Sequence, residues 1–236
     1  MGGRKGTRTV VFDLETEAFT EAFRSASSEE ERLEHAPKMR ICCAYDSAAH
    51  AYTFYASELA GDLIEHLRSA DAIVSYNGKA FDLLVLSRHY GLSRARCAEL
   101  NAKHHDLLEM VEGKFGRRVG LDDLARENLG ERKRVRGRRM ADLDMEELKL
   151  ACQSDVSQTH RLHTKWVDGS LRFPTVLSKR QESDDFDDFD LIHSHLPNDR
   201  KYILLTGEEL EDMTEGQQAD YLAGLWGIDE DGNFVQ

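Results

Sequence analysis

The sequence has no C-x-x-C pair, no apolar run long enough to cross a bilayer and no internal repeat. The first absence argues against a zinc clip, and the four cysteines (Cys42, Cys43, Cys97, Cys152) read as buried reduced thiols of a reducing compartment. Cys42 and Cys43 are adjacent, so on a strand they point to opposite faces and make a poor metal clip. The second absence argues against a membrane protein. MGGRKGTRTVVF carries basic residues but no apolar core of signal-peptide length, so the expectation is a cytoplasmic protein. With 40% hydrophobic and 32% charged residues, 236 residues suffice for one good-sized α/β domain, with or without an appendage.

A net charge of −13 at first argues against a nucleic-acid partner. Its distribution reverses that argument. Residues 181–236 hold 16 of the 44 acidic residues and 2 of the 31 basic ones, which leaves 28 acidic and 29 basic residues in 1–180. The acidity belongs to the tail. Pro174 and the polar run QESDDFDDFD mark the boundary, giving two expected units: a domain over 1–180 and an acidic, partly helical extension over 181–236. In the extension YILLT reads as a strand, and Thr206-x-x-Glu209 and Thr214-x-x-Gln217 fit the capping box.

RTVVFDLE reads as a buried strand, and RICCAYD and HAYTFYA as a hairpin beside it, joined at Ser47–Ala49. Ser57 opens an amphipathic helix with Leu59, Leu63, Ile64 and Leu67 on one face. DAIVSYN is a strand ending at the turn pair Asn77-Gly78, AFDLLVLSRHYGL a helix closed by Gly91, and HHDLL a further short strand. GLDDLARENLG is a compact helix, and a long one spans Met145–Val167. The fold class expected is α/β: a mixed sheet flanked by helices.

Four carboxylates stand out because each lies where a bare charge is costly. Asp13 and Glu15, two apart on a strand, leave the same face, with Phe12 and Leu14 on the other. Asp82 begins a helix just after a strand that should lie beside the first. Asn77 bonds in the turn before it and Phe81 packs beneath it. Asp155 lies at the rim of a face formed by Leu148, Cys152, Val156 and Thr159. Oxygen-only ligation suits Mg²⁺ or Mn²⁺, and two such ions stabilise both the attacking and the leaving oxygen of an in-line displacement. Singly, each of these residues is more often a cap or a solvated charge. Their combination carries the reading.

That combination resembles the DEDD exonuclease superfamily, whose members have a ribonuclease H-like fold and include proofreading exonuclease domains and ribonuclease T-like enzymes. VVFDLET is similar to the first motif, YNGKAFDLLVL to the second (N-x-x-x-F-D) and CQSDVSQTHRL to the third. HHDLLEM followed by GLDDLARENLG is similar to the link between the last two. The resemblance spans Arg8–Trp166. It implies that Asp13, Glu15, Asp82 and Asp155 hold two Mg²⁺ or Mn²⁺ ions, with Asp13 between them. It also implies hydrolysis of nucleic acid from a free 3′ end to nucleoside monophosphates, DNA being favoured over RNA. Leu14 and Thr16 would line the terminal-nucleotide pocket. One departure is plain: the positions where the family carries a tyrosine or histidine general base hold Ala151 and Leu150. Three readings follow. Another group serves (His104, His105, His160 or Lys149), or a bound cation acidifies the water by itself, or the chain is a weak or inactive nucleic-acid-binding or assembly subunit.

For substrate contacts, the run RKRVRGRR supplies Arg132, Lys133, Arg134, Arg136, Arg138 and Arg139, enough to neutralise several phosphates. Asn77 and Phe81 join them from the second motif, and Tyr76 and Tyr90 are further stacking candidates. The acidic extension keeps the chain soluble, forms a homo-oligomer or protein-partner contact, or folds over the basic run and competes with nucleic acid.

Overall fold

The computed structural model describes residues 7–131 and 142–174. The boundary near residue 180, the acidic extension and the run Arg132–Arg139 lie outside the described residues.

β1 (Thr9–Thr16) is central because both of its faces are covered. Its even positions Val10, Phe12 and Leu14 enter one core, while Val11 enters another. A strand buried on both sides reads as an unbroken apolar run, which is what TVVF shows. β2 (Met39–Asp46) pairs antiparallel with β1, and β3 (Ala51–Ala56) antiparallel with β2. On the other side, β4 (Ala72–Ser75) and β5 (His104–Asp106) run parallel to β1. The sheet order is β3-β2-β1-β4-β5, so the fold is α/β with a mixed five-stranded sheet.

One face is covered by α3 (Ala60–Ser69) and α4 (Asp82–His89), through Leu63, Ile64, Leu67, Leu83, Val85 and Leu86. The other is covered by α8 (Met145–Val167), whose Cys152 and Val156 pack on Val11, Cys43 and Val74. Between α4 and α8 the chain forms α5 (Arg94–Asn101), α6 (Leu107–Phe115) and α7 (Leu121–Leu129). Short helices α1 (Glu21–Arg24) and α2 (Glu29–His35) follow β1. Asp144 starts α8 with a reciprocal capping box to Glu147.

Three sequence expectations change. Leu59 is 45% exposed, because Ser57–Leu59 form a 3₁₀ turn that rotates it off the α3 stripe, and Ser57 makes no side-chain cap. α5 was not expected, since RARCAELN buries only Leu100 and carries no apolar stripe. α6 was hidden inside the HHDLL strand reading: the strand stops at Asp106, which caps a new helix by accepting the Leu108 amide at 3.1 Å. Among the described residues no helix is long and apolar enough to cross a membrane.

The edge opposite the carboxylates is fastened by Asp46, the last residue of β2. It accepts Arg8 Nη2 at 2.6 Å and the Ala48 amide at 2.9 Å, and lies 3.1 Å from His66 Nε2. His66 Nδ1 is 2.7 Å from the Tyr55 hydroxyl. Strands β2 and β3, helix α3 and the entry to β1 thus meet at one carboxylate, which the Arg8 guanidinium holds well below the usual carboxylate range. A depressed folded-state pKa contributes stability that is complete above the unfolded value, about 3.9, and is lost as pH falls below it. Asp46→Ala should therefore cost about 2–4 kcal/mol at neutral pH. In urea unfolding from pH 7 to pH 2 the gap between wild type and variant should narrow progressively below about pH 4, as the unfolded-state carboxylate takes up its proton. A constant gap between them would show that the carboxylate charge is not the source.

Candidate functional site

β1 outruns its parallel neighbour. β4 ends at Ser75, and the β1–β4 pairing goes no further than Val11 with Val74. The last residues of β1 therefore project at the carboxyl edge, between the two strands where chain order reverses. Such an edge is where open α/β sheets place ligands. Asp13 and Glu15 lie on this segment and, by the two-residue period, share the face of Val11, under α8. Asp13 is half-buried and Glu15 buried.

The open side of β1 is filled by the returning chain, residues 76–82. Asn77 takes a left-handed conformation (φ 68°). The Asp106 carboxylate, 1% exposed, accepts the amides of Asn77 at 2.8 Å and Lys79 at 2.9 Å, besides that of Leu108. The Gly78 amide donates to Ser75 Oγ at 3.0 Å, and that oxygen is 2.7 Å from His104 Nε2. Phe81 turns into the core, its ring 5.5 Å from Phe19 and 6.2 Å from Phe23. So braced, the turn delivers Asp82 to the first position of α4, where Oδ1 accepts the Leu14 amide at 3.1 Å. The second-motif carboxylate is tied to the residue between Asp13 and Glu15.

α8 closes the site from the other face. Cys152 Sγ donates toward the Asp13 carbonyl oxygen at 3.2 Å and Asp13 Oδ2 at 3.5 Å. Ligand atoms of Asp13, Glu15 and Cys152 all lie within 4.8 Å of one another. Burial, reinforced by Asp13 and Glu15, pushes the Cys152 thiol up, so it stays protonated and acts as a donor. Asp155, 9% exposed, follows Cys152 by three residues, close to one helical turn.

Burial first, and then the charges of Asp13 and Asp106, push Asp82 well above the usual carboxylate range, against the Leu14 amide. Carboxylates packed this way resist holding charge together, and a divalent cation is the group that reverses the resistance. Clustered carboxylate oxygens such as those of Asp13 and Glu15 suit a hard divalent cation, and the soft thiol beside them does not belong to that donor set.

Leu14 is 5% exposed, with its side chain in the α3/α4 core, so it meets the site through its backbone. The Thr16 hydroxyl donates to the Glu17 carbonyl at 2.9 Å. Tyr76 and Tyr90 both donate their hydroxyls to backbone, at Val119 and Met39, and pack against core clusters. Ala151 packs with Ile41, Leu143 and Leu148, while Leu150 is exposed. The proposed substitutes for a general base are engaged elsewhere. His104 is buried on the Phe12 side of the sheet, and desolvation pushes it down to about 3. His105 contacts His163. Lys149 pairs with Glu146 at 2.7 Å. His160 stacks on Tyr45, five residues and so about 7.5 Å along the helix axis beyond Asp155. Two contributors escaped sequence reading, Asp106 and Cys152. The signals for Asp106 are its place just before a leucine pair and the likeness of HHDLLEM to the link between the second and third motifs.

A family model described as RNase_H superfamily matches residues 10–143. The match takes in Asp13, Glu15 and Asp82 and stops before α8, which carries Asp155. Among solved structures, the family B DNA polymerase from the hyperthermophilic archaeon Pyrobaculum calidifontis matches with a TM-score of 0.50 at 17% identity. The match covers 71% of this chain and 25% of the polymerase chain, a likeness of fold over a quarter of that protein's length. No curated protein matches the sequence.

A Cβ on Gly78 would lie 2.4 Å from Ser75 Oγ and 3.3 Å from Asp82 Oδ2. Gly78→Ala should cost about 1–3 kcal/mol in urea unfolding and weaken Mn²⁺ binding by displacing Asp82. Wild-type stability and Mn²⁺ affinity together would contradict this account of the turn.

Proposed function

The chain belongs to the RNase H superfamily, and from that premise we propose that it is a metal-dependent 3′-to-5′ exonuclease acting on nucleic acid, DNA in preference to RNA. The observation that carries the reading is the placement of Asp13 and Glu15 on one face at the free end of β1, with Asp82 hydrogen-bonded to the intervening Leu14 amide. Asp13, Glu15, Asp82 and Asp155 would hold two Mg²⁺ or Mn²⁺ ions. When bound, such a pair supplies charge stabilisation to the attacking and leaving oxygens of the phosphodiester.

The chain's own residues fix the orientation of those ligands. The Leu14 amide sets one Asp82 oxygen, the Cys152 thiol one Asp13 oxygen, and Asp106 the turn that carries Asp82. Preorganised donors of this kind spare the site a reorganisation when charge develops. The basic residues Arg132, Lys133, Arg134, Arg136, Arg138 and Arg139 are the proposed phosphate contacts, and Thr16 and Asn77 the proposed contacts near the terminal nucleotide. The preference for DNA draws on the polymerase among the fold neighbours.

Ala151, packed in the core, favours a second reading, a nucleic-acid-binding or assembly subunit of low activity. A missing general base slows proton transfer by about 10²–10⁴-fold without removing the metal ligands. A 5′-labelled oligonucleotide separates the two. The exonuclease shortens it stepwise with Mg²⁺ or Mn²⁺ and stops in chelator, and Asp13→Ala or Asp82→Ala reduces shortening to background. A chain that retards the oligonucleotide but never shortens it is the binding module. Equal nuclease activity in both alanine variants would refute the site.

A further inference from the structure

His105 and His163 stand apart from the carboxylates and take no part in the proposed hydrolysis. His105 is the middle residue of β5, the edge strand of the sheet. Its neighbour His104 turns toward Phe12, so the pleat sends His105 to the opposite face, where α8 lies. It is exposed. His163, on α8, is half-buried and meets it, with His105 Nδ1 3.1 Å from His163 Nε2. Their rings are 5.3 Å apart, centre to centre. His163 lies eight residues beyond Asp155, about 12 Å along the helix axis.

We propose that His105 and His163 form a second metal site, for a borderline cation of the Zn²⁺, Ni²⁺ or Cu²⁺ class, separate from the carboxylate site. A tetrahedral ion with metal–nitrogen bonds of about 2.0–2.1 Å holds two ligating nitrogens about 3.3 Å apart, which this pair already approaches. Both residues sit within regular elements, so the spacing is set by the fold rather than by a loop. Burial, with His105 and His160 nearby, pushes His163 down to about 4, which keeps it neutral and able to ligate at pH 7. In the hydrogen-bonded pair one ring carries its hydrogen between the two nitrogens, so metal entry needs that one ring to move its hydrogen to its other nitrogen. Water fills the remaining positions. The nitrogen donors and the carboxylate oxygens then select different ions, and occupancy staples β5 to α8.

The inference is independent of the nuclease reading, and its test keeps the two apart. The full chain is titrated with Zn²⁺ in excess Mg²⁺, alongside His105→Gln, His163→Gln and Asp13→Asn. Wild type and Asp13→Asn should bind one Zn²⁺ that either histidine variant weakens by at least about tenfold, and that Zn²⁺ should raise their melting temperature. Cu²⁺ at one equivalent should give an electron paramagnetic resonance spectrum with coupling to two imidazole nitrogens, reduced to one in each histidine variant. Equal Zn²⁺ affinity in wild type and both histidine variants, or a Cu²⁺ spectrum unchanged by them, overturns the proposal.

Discussion

The hydrogen bond from the Leu14 amide to Asp82 is the link on which the candidate site depends. Asp13 and Glu15 come with β1, and their proximity follows from strand geometry alone. Asp82 comes from the far side of a crossover, more than sixty residues later, and burial together with the Asp13 charge works against its ionised form. The bond is available because β4 stops short and leaves the end of β1 without a strand on that side. A longer β4 would cover the edge and remove the site. Asp106 performs the matching task for the turn: one buried carboxylate gathers three amides, two of them from the turn and the third from the start of α6.

The carboxylates and the general-base positions point in different directions. The β1 carboxylates and Asp82 are held together through the Leu14 amide, and Cys152 adds a thiol donor to Asp13. Meanwhile Ala151 is packed among Ile41, Leu143 and Leu148. His160 and Lys149 are occupied with Tyr45 and Glu146. Among the described residues, then, the arrangement favours charge neutralisation over side-chain proton transfer. On the proposed nuclease reading, that balance would leave a slow rate set by the acidity of the attacking water.

Much of this was legible in the sequence because it depends on local periodicity. The central strand, the hairpin and the limits of α8 followed from apolar pattern and capping, and the shared face of Asp13 and Glu15 from the two-residue repeat. What was hidden depends on contacts between distant segments. α5 carries no stripe to betray it, since only Leu100 is buried. Leu59 left its predicted face because a 3₁₀ turn precedes α3, and period alone does not distinguish 3.0 from 3.6 residues over three positions. Phe81 and Leu14, read as substrate contacts, pack their side chains in the core, because the turn and strand that bring the carboxylates to the edge must bury their own apolar residues. The bracing by Asp106 and the thiol contact of Cys152 span 27 or more residues, beyond any sequence pattern.

The central claim is that the four carboxylates form one cradle for paired divalent ions. Anomalous scattering from a crystal of the full chain soaked in Mn²⁺ tests it most directly. The account predicts two peaks ligated by oxygens of Asp13, Glu15, Asp82 and Asp155, with Asp13 shared between them. At saturating Mn²⁺, an absence of density at the carboxyl end of β1, or ions bound only elsewhere, would contradict it.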